Sequence, residues 1–190
     1  MKKNDPRTVN AWCMYDWANS VHPLVITSSI FPVYFSATAL NAQGGAVIDF
    51  FGFAIKNSVL FSYAVSFSFL VVAFLIPFCT AIADYTGRKQ LFMKIFCYSG
   101  AFCCGMLYFF TRDTTTFGVV MFVLSLIGYS GSIVFYYSFL PEIATEENFD
   151  RYSARGFSLG YVGSVILLVF NLTMVLYPDM YGITDKSLPA

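Results

Sequence analysis

The sequence predicts an all-α membrane protein with about five transmembrane helices. Apolar side chains make up 57% of the 190 residues and charged side chains only 12%, which is about half the charged fraction of an ordinary soluble domain. Five apolar stretches are long enough, at about 20 residues, to cross the hydrocarbon core of a bilayer as a helix. Barrel strands are shorter, at about 10 residues, and alternate in polarity, so we do not expect strands to be the spanning elements.

The expected spans are separated by short polar segments or by segments that contain glycine and proline. The charged residues inside the spans, Asp16 and Lys94, lie near span ends. The first span is the most polar, because Asp16, Asn19 and His22 interrupt its opening turns. We expect one membrane domain, residues 1–190, with spans at about 12–37, 58–83, 90–111, 117–140 and 157–177.

Positive charge is distributed unequally between the two ends of the expected spans. Eight of the eleven Lys and Arg residues lie before the first span or close to the loops that follow the second and fourth spans. Lysine and arginine collect on the cytoplasmic side of membrane proteins. We therefore expect a multi-pass integral membrane protein with a cytoplasmic N-terminus, in the cell membrane if its organism is bacterial. The eight are Lys2, Lys3, Arg7, Arg88, Lys89, Lys94, Arg151 and Arg155, and the other three are Lys56, Arg112 and Lys186.

A charged turn, Ala83–Lys89, joins the second and third expected spans. Gly87 permits a tight turn where one helix ends and the next begins. Asp84, at the membrane boundary, can pair with a base or a helix end in one arrangement of the helices and be released in another. An ordinary positively charged cytoplasmic loop is the alternative interpretation of the same residues.

The turn resembles the cytoplasmic signature of the major facilitator superfamily, G-x-L-A-D-R-x-G-R-[RK]. Thr80 and Tyr85 depart from that signature, because they stand at its first glycine and its first basic position. The resemblance implies that the turn is a latch on the outward-facing state of a transporter. The acidic, glycine and basic positions of the signature fall on Asp84, Gly87, Arg88 and Lys89.

A second charged loop, residues 141–156, joins the fourth and fifth expected spans on the same side. It resembles the proline-glutamate and arginine-glycine elements that many members of the superfamily carry there. Glu142 is the expected partner of Arg88, and Arg151 and Arg155 are further latch candidates. A solvated loop of mixed charge is the alternative.

The first span narrows the resemblance to one family. The segment Asn10–Ser20 contains the string Tyr-Asp-Trp-Ala-Asn-Ser, and Ile30–Phe35 and Arg151–Gly163 add to the match. These segments resemble the vacuole-effluxer family, the autophagy-related amino-acid exporters and their bacterial relatives. The resemblance implies most of the N-terminal six-helix bundle of a twelve-helix major facilitator transporter. It also implies export of neutral amino acids for the fungal members, whereas the substrate of the bacterial members is open.

An odd number of spans, followed by a polar tail after Pro178, is unusual for such a protein. We expect a fragment of a longer transporter, with the C-terminal helical half missing. A complete five-span protein is the alternative.

Polar residues of the first span are the candidates for contact with a transported molecule. Ionisable groups at membrane depth are costly and usually face a bundle interior or a water-filled cavity. Pro23 and Pro32 each remove a backbone donor, and the resulting bends are tolerated along a cavity. The candidates are Tyr15, Asn19 and His22, which share one helix face, and Asp16 on an adjoining stripe.

Structural roles compete with these assignments. Asp16 lies near the cytoplasmic end and can instead cap the helix or pair with the basic loop. Histidine ordinarily changes charge near neutrality, which suits a proton relay, but His22 can equally hydrogen-bond a backbone carbonyl.

Three sets of small residues have the spacing of helix-packing faces. We expect each set to allow close approach of two helices rather than to bind a ligand. The sets are Ser58, Ser62 and Ser66; Ser125, Gly128 and Ser132; and Gly156, Gly160 and Ser164.

The expected function is secondary active transport, with export of small molecules such as amino acids by alternating access, with or without a coupled proton. A non-transporting membrane subunit or a channel component is the alternative. An enzyme is not expected, because paired carboxylates, Ser-His pairs and metal-ligand groups are missing at membrane depth. No cofactor or metal is expected, and zero net charge argues against nucleic acid. The expected partners are the lipid bilayer and a small-molecule substrate.

Overall fold

The computed structural model describes residues 3–41 and 43–182, and helices dominate these residues. Lys2 and Lys186, which entered the charge count, and residues 183–190 of the polar tail lie outside the described residues. Four helical stretches within the described residues are long and apolar enough to cross a membrane. They correspond to the second to fifth expected spans and confirm the predicted all-α membrane fold class. The stretches are Asn57–Thr86, Lys89–Phe109, Arg112–Ile143 and Glu146–Leu176.

The elements follow one another along the chain with short connections. The helices are α1 (Pro6–Asn19), a π-helix (His22–Ser29), α2 (Ile30–Thr38), α3 (Asn57–Thr86), α4 (Lys89–Met106), α5 (Thr115–Ser138), α6 (Leu140–Ile143) and α7 (Phe149–Leu176). The strands β1 (Val47–Phe50) and β2 (Phe53–Lys56) lie between α2 and α3. Short 3-10 turns occupy Leu107–Phe109, Arg112–Thr114, Glu146–Asn148 and Pro178–Tyr181.

The first expected span, residues 12–37, is divided into three consecutive helical segments instead of forming one α-helix. Pro23 lacks the N–H that would bond to the Asn19 carbonyl, and the π-helix begins at this point. Inside the π-helix, the Ser28 hydroxyl donates to the Pro23 carbonyl at 2.8 Å. The bend that Pro23 predicts therefore takes the form of a locally widened helix.

The chain forms two compact units. The terminal unit consists of residues 3–37 and 140–182, in which α1 packs on α7. The central unit consists of residues 38–139 apart from 42, in which α5 packs on α3 and α4. Helices that are distant in sequence thus pair in the terminal unit, and neighbouring helices pair in the central unit.

In the terminal unit, α1 and α7 lie side by side and run in the same direction. The Cys13 thiol lies 3.9 Å from the Tyr152 carbonyl near the start of both helices. Further along, a Cβ built on Gly160 would lie 3.1 Å from the Cβ of Ser20, which is tighter than an ordinary contact. Small residues are therefore needed on this face of α7. This confirms the packing role predicted for this set at Gly160, while Gly156 and Ser164 are buried on the same helix.

In the central unit, α4 and α5 approach each other at two glycines. A Cβ built on Gly128 would lie 2.5 Å from the Cα of Gly100, and one built on Gly100 would lie 3.1 Å from the Cα of Gly128. The two backbones therefore touch with no side chain between them. This confirms the packing role predicted for Ser125, Gly128 and Ser132, which are buried.

Aromatic rings fill much of the core of the central unit. The Phe135 ring stacks on Phe92 and Phe96, with centroids 5.6 Å and 6.0 Å away. The Phe61 and Phe122 rings lie 4.9 Å apart and connect α3 to α5. Phe122 and Phe135 are each only 1% exposed, so this core is apolar and closely packed.

The packing role predicted for Ser58, Ser62 and Ser66 is wrong within this chain, because all three are exposed. The Ser62 hydroxyl donates to the Ser58 carbonyl at 3.1 Å. A serine that bonds to its own helix in this way needs no partner on another helix. The buried face of α3 instead contains Leu60, Ala64 and Ser68.

The hairpin of β1 and β2 has no counterpart among the sequence predictions. Its strands are antiparallel, with Phe50 opposite Phe53. The two turn residues, Phe51 and Gly52, have φ angles of 53° and 84°, the left-handed backbone that a two-residue type I′ turn requires. Phenylalanine is rare in that conformation, so the sequence carries only half of the usual turn signal.

Candidate functional site

The four substrate-path candidates lie where α1 passes into the π-helix, within about two helical turns. Asp16 is buried, with 3% of its surface exposed. Tyr15, Asn19 and His22 are half-buried. The structure therefore keeps these four polar side chains together on one short stretch of the terminal unit. Their contact with a substrate remains a prediction.

Asp16 is the acid of this group. One of its carboxylate oxygens accepts a hydrogen bond from the Ser20 hydroxyl at 3.5 Å. No basic side chain within residues 3–41 and 43–182 forms an ion pair with it. The cap of α1 is Asp5, whose carboxylate accepts the Thr8 N–H at 3.0 Å. The capping role considered for Asp16 thus belongs to another residue, and no basic side chain in the described part of the chain pairs with the Asp16 carboxylate.

Three more polar groups of the terminal unit are buried without a hydrogen-bond partner among the described residues. They are the Asn19 amide nitrogen, the Thr27 hydroxyl and the Ser164 hydroxyl. Each such group costs about 1–3 kcal/mol if it stays unsatisfied, so native structures usually supply a ligand, an ion or water. This stretch of α1, the π-helix and α7 therefore offers buried polar groups with which a polar ligand could form hydrogen bonds.

Ser164 is a site candidate that the sequence assigned to packing alone. It is 2% exposed and lies one helical turn beyond Gly160, which contacts Ser20 of α1. The parallel arrangement of α1 and α7 brings it to the level of the π-helix. The spacing of small residues predicts the packing face, but nothing in the sequence aligns α7 with α1.

The π-helix adds a second peculiarity to this stretch. Single π-helical segments inside α-helices are uncommon and are frequent at functional sites. His22 and Thr27 lie on this segment, and its Pro23 leaves the Asn19 carbonyl without the usual helical donor. A backbone acceptor and side-chain donors thus occur together on one bent span. The proposed proton relay at His22 stays a prediction.

The charged turn after α3 is a glycine-capped helix end. Gly87 has a φ of 64°, and its N–H donates to the Asp84 carbonyl at 3.3 Å. The Arg88 N–H donates to the Ala83 carbonyl at 3.1 Å, which completes a Schellman-type cap. α4 begins at the next residue, Lys89. The turn therefore has the helix-glycine-helix geometry that the signature predicts.

Within this turn the acid pairs with a base of the same motif. The Asp84 carboxylate lies 3.2 Å from the Lys89 ammonium, and the Asp84 side chain is 63% exposed. Exposed pairs contribute at most about 1 kcal/mol to stability. Arg88 is exposed, so its side chain is accessible to solvent. The pair therefore contributes little to the stability of the fold, and stability alone does not explain its presence.

The remaining latch candidates lie in the terminal unit. Glu142, Arg151 and Arg155 are exposed on α6 and the first turns of α7. Asn4 fixes the N-terminal segment to the neighbouring loop: its N–H donates to the Ile143 carbonyl at 2.8 Å, and its side-chain amide donates to the Thr145 hydroxyl at 3.0 Å. The predicted pairing of Glu142 with Arg88 remains a prediction.

Comparison with known proteins identifies the family of the chain. The family model described as vacuole effluxer Atg22 like matches residues 4–151. The chain is 33% identical over 176 residues, 93% of its length, to a Bacillus subtilis protein described as the uncharacterized MFS-type transporter YxiO. It is 22% identical over 112 residues (59% of the chain) to autophagy-related protein 22-2 of Penicillium rubens, and 26% identical over 101 residues (53%) to autophagy-related protein 22 of Neurospora crassa. No solved structure is significantly similar to the chain.

The relatives are much longer than this chain. The match covers 39% of the Bacillus protein, 18% of the Penicillium protein and 14% of the Neurospora protein. The family model nevertheless covers most of the chain, including α1 and the charged turn after α3. These matches confirm the family that the sequence motifs indicate, and they agree with the prediction that the protein is not an enzyme. The chain belongs to the family of vacuole effluxer Atg22-like membrane proteins.

Proposed function

We propose that the chain is part of a secondary transporter that exports small molecules such as amino acids by alternating access. The observation that carries this proposal is the buried polar stretch of α1, the π-helix and α7. Asp16 is buried there without a basic partner among the described residues, and the Asn19 amide nitrogen and the Ser164 hydroxyl are buried without hydrogen bonds within the same part of the chain. Groups of this kind at membrane depth mark substrate or ion paths.

The polar side chains of this stretch suit a zwitterionic substrate. An ionised, buried carboxylate is costly without a compensating cation, and an ammonium group or a proton supplies that compensation at Asp16. The Asn19 amide nitrogen donates hydrogen bonds, and the Ser164 hydroxyl can donate one, which a substrate carboxylate accepts. Tyr15 and His22 lie beside them on the same span. A coupled proton is the second cation that this site would accept.

The latch is the second part of the proposal. Asp84, Gly87, Arg88 and Lys89 form the signature turn, and the cytoplasmic charges of the other unit take part in the same switch. In this proposal Glu142 pairs with Arg88 in one state of the transport cycle and releases it in the other. The Asp84–Lys89 pair, in which Asp84 is exposed, supports a switching role, because weak pairs exchange partners at low cost. The partners of the turn in the other unit are Glu142, Arg151 and Arg155.

A cytoplasmic N-terminus and a further helical half complete the proposal. The bonds of Asn4 to Ile143 and Thr145 support one common side for the N-terminal segment and the loop after the fourth expected span. That side has most of the positive charge. The greater length of the relatives supports a C-terminal half beyond these residues.

The test is efflux from liposomes that contain the full-length protein and are loaded with radiolabelled neutral amino acids, in the absence of ATP. We expect saturable efflux, reduced about tenfold or more by Asp16→Asn, since a charge-assisted hydrogen bond contributes about 1.5–3 kcal/mol. Asp113→Asn, at an exposed acid outside the stretch, is the matched control and should leave efflux unchanged.

Two results would contradict the proposal. Full efflux from the Asp16→Asn protein would remove the buried stretch as the substrate site. Ion conductance that does not saturate would indicate the channel alternative instead of a transporter.

A further inference from the structure

The hairpin that precedes α3 has one entirely apolar face. Successive residues of a strand point to opposite faces, so Ile48 and Phe50 of β1 share a face with Phe53 and Ile55 of β2. The opposite face contains Asp49 and Lys56, together with Val47 and Ala54. This two-stranded element is therefore amphipathic, although it contains only ten residues with its turn.

The apolar face changes from buried to exposed along its length. Ile48, near the base of the hairpin, is 6% exposed, whereas Phe53, next to the turn, is 70% exposed and Phe51 is 77% exposed. The Phe50 and Phe51 rings pack edge to face, with centroids 4.8 Å apart. Phe50, Phe51 and Phe53 thus form an aromatic tip, in which Phe50 is half-buried and the other two rings are largely exposed among the described residues.

The turn itself holds an aromatic side chain at the tip. A left-handed backbone is unfavourable for a residue with a Cβ, and the usual residues there are asparagine, aspartate and glycine. Phe51 occupies this position, and the Gly52 N–H donates to the Asp49 carboxylate at 2.8 Å across the turn. Phenylalanine is therefore unexpected at this position in a turn that is surrounded only by water.

The hairpin is attached directly to the start of α3. β2 ends at Lys56 and α3 begins at Asn57, whose N–H donates to the Ala46 carbonyl at 2.8 Å and whose side chain donates to the Ala39 carbonyl at 3.0 Å. α3 contains 30 residues and is therefore about 45 Å long, which matches a bilayer with its headgroups. A membrane-spanning α3 of this length would place the base of the hairpin among the headgroups.

The same end of the central unit exposes a second aromatic pair. The Arg112 guanidinium donates to the Leu40 carbonyl at 3.2 Å, which joins the loop after α4 to the segment before the hairpin. In that loop Tyr108 is 86% exposed and Phe109 is 57% exposed. Aromatic side chains collect at the headgroup level of membrane proteins.

We infer that the hairpin, residues 47–56, lies along the membrane surface and anchors this end of the central unit in the lipid interface through Phe50, Phe51 and Phe53. Strands of four residues extend about 13 Å, whereas the headgroup layer is only about 5–8 Å thick. An upright hairpin would hold its aromatic tip in water. A hairpin that lies flat places its apolar face on the acyl chains and leaves Asp49 and Lys56 towards water.

The test compares tryptophans on the two faces of β2. Phe53→Trp and Ala54→Trp replace neighbouring exposed residues on opposite faces, so neither is expected to disturb folding. The protein is reconstituted in phosphatidylcholine vesicles, and the emission of the parent chain, with Trp12 and Trp17, is subtracted. We expect blue-shifted emission at position 53, quenched by brominated lipid and protected from iodide. The opposite pattern is expected at position 54.

Two outcomes would overturn the inference. Equal quenching by iodide at positions 53 and 54 would place the hairpin in water. Protection of position 53 from both iodide and brominated lipid would mean that a protein surface, and not lipid, covers the aromatic tip.

Discussion

The two compact units use the same device to bring helices together, but they enclose different chemistry. In the central unit, α4 and α5 meet at Gly100 and Gly128, and the surrounding core is aromatic. In the terminal unit, α1 and α7 meet at Gly160, and the adjoining buried groups include Asp16 and Ser164. Close approach of two helix backbones thus occurs beside an apolar core in the central unit and beside a polar stretch in the terminal unit.

The treatment of buried hydroxyl groups shows the same contrast. In the central unit, the Ser68 hydroxyl donates to the Ala64 carbonyl at 2.7 Å, and the Ser132 hydroxyl donates to the Tyr129 carbonyl at 2.8 Å. Both groups are satisfied by their own helix. The Ser164 hydroxyl of the terminal unit is buried without such a bond among the described residues. Under the proposed function, the terminal unit with Ser164 would bind the substrate, and the central unit would act as a scaffold.

The largest effect on stability is expected from Gly128→Ala. The new Cβ would lie 2.5 Å from the Gly100 Cα and 2.6 Å from its nitrogen, and backbone atoms cannot move aside as side chains do. We expect the free energy of unfolding to fall by about 3 kcal/mol, the upper range for overpacked cores. Thermal unfolding in detergent, followed by loss of helical circular dichroism, measures this change.

Gly105→Ala is the matched control for that prediction. Gly105 lies on α4 like Gly100, but a Cβ there would meet nothing within 4 Å. Alanine is favoured over glycine in helices, so stability should stay constant or rise by up to about 1 kcal/mol. A similar loss in both variants would show that backbone contact is not what holds α4 and α5 together.

A smaller effect is expected from Gly163→Ala in the terminal unit. Its Cβ would lie 2.6 Å from Cδ1 of the Trp17 ring, and a side chain can rotate where a backbone cannot. We expect a loss of about 1–2 kcal/mol, with partial recovery in the double variant Gly163→Ala/Trp17→Phe. If the two changes prove strictly additive, α1 and α7 do not pack through this pair.

Ser164→Ala separates binding from stability. Removing a buried hydroxyl that has no partner among the described residues should leave the free energy of unfolding unchanged or raise it by up to about 1 kcal/mol. Transport should fall, because a substrate contact is lost. Ser132→Ala in the central unit is the comparison, and it should change neither quantity by much. Normal flux in the Ser164→Ala protein would mean that Ser164 has only a structural role.

Sequence patterns predict the second to fifth spans, the charged turn and the family, because apolar length and the Asp84–Lys89 motif are local properties. They do not predict the π-helix, because Pro23 predicts a bend but does not specify the backbone conformation of that bend. The alignment of α7 with α1, which makes Ser164 a site candidate, depends on contacts between residues more than 130 positions apart. The sequence does not predict the hairpin either, because Phe51 occupies a turn position that favours glycine and asparagine.

The smallest effect on stability is expected at the charged turn. In the Asp84–Lys89 pair, Asp84 is exposed and Lys89 is half-buried, so Asp84→Asn and Lys89→Gln should each change the free energy of unfolding by no more than about 1 kcal/mol. If Asp84 acts only inside the central unit, both variants should transport normally. If it is part of a latch, Asp84→Asn should lower the flux in the liposome assay while unfolding stays unchanged, and Lys56→Gln, at an exposed lysine of the hairpin, should leave the flux intact. A flux that is lost without any loss of stability is what a switch between states requires, because a switch contributes to the difference between two folded arrangements and not to folding itself.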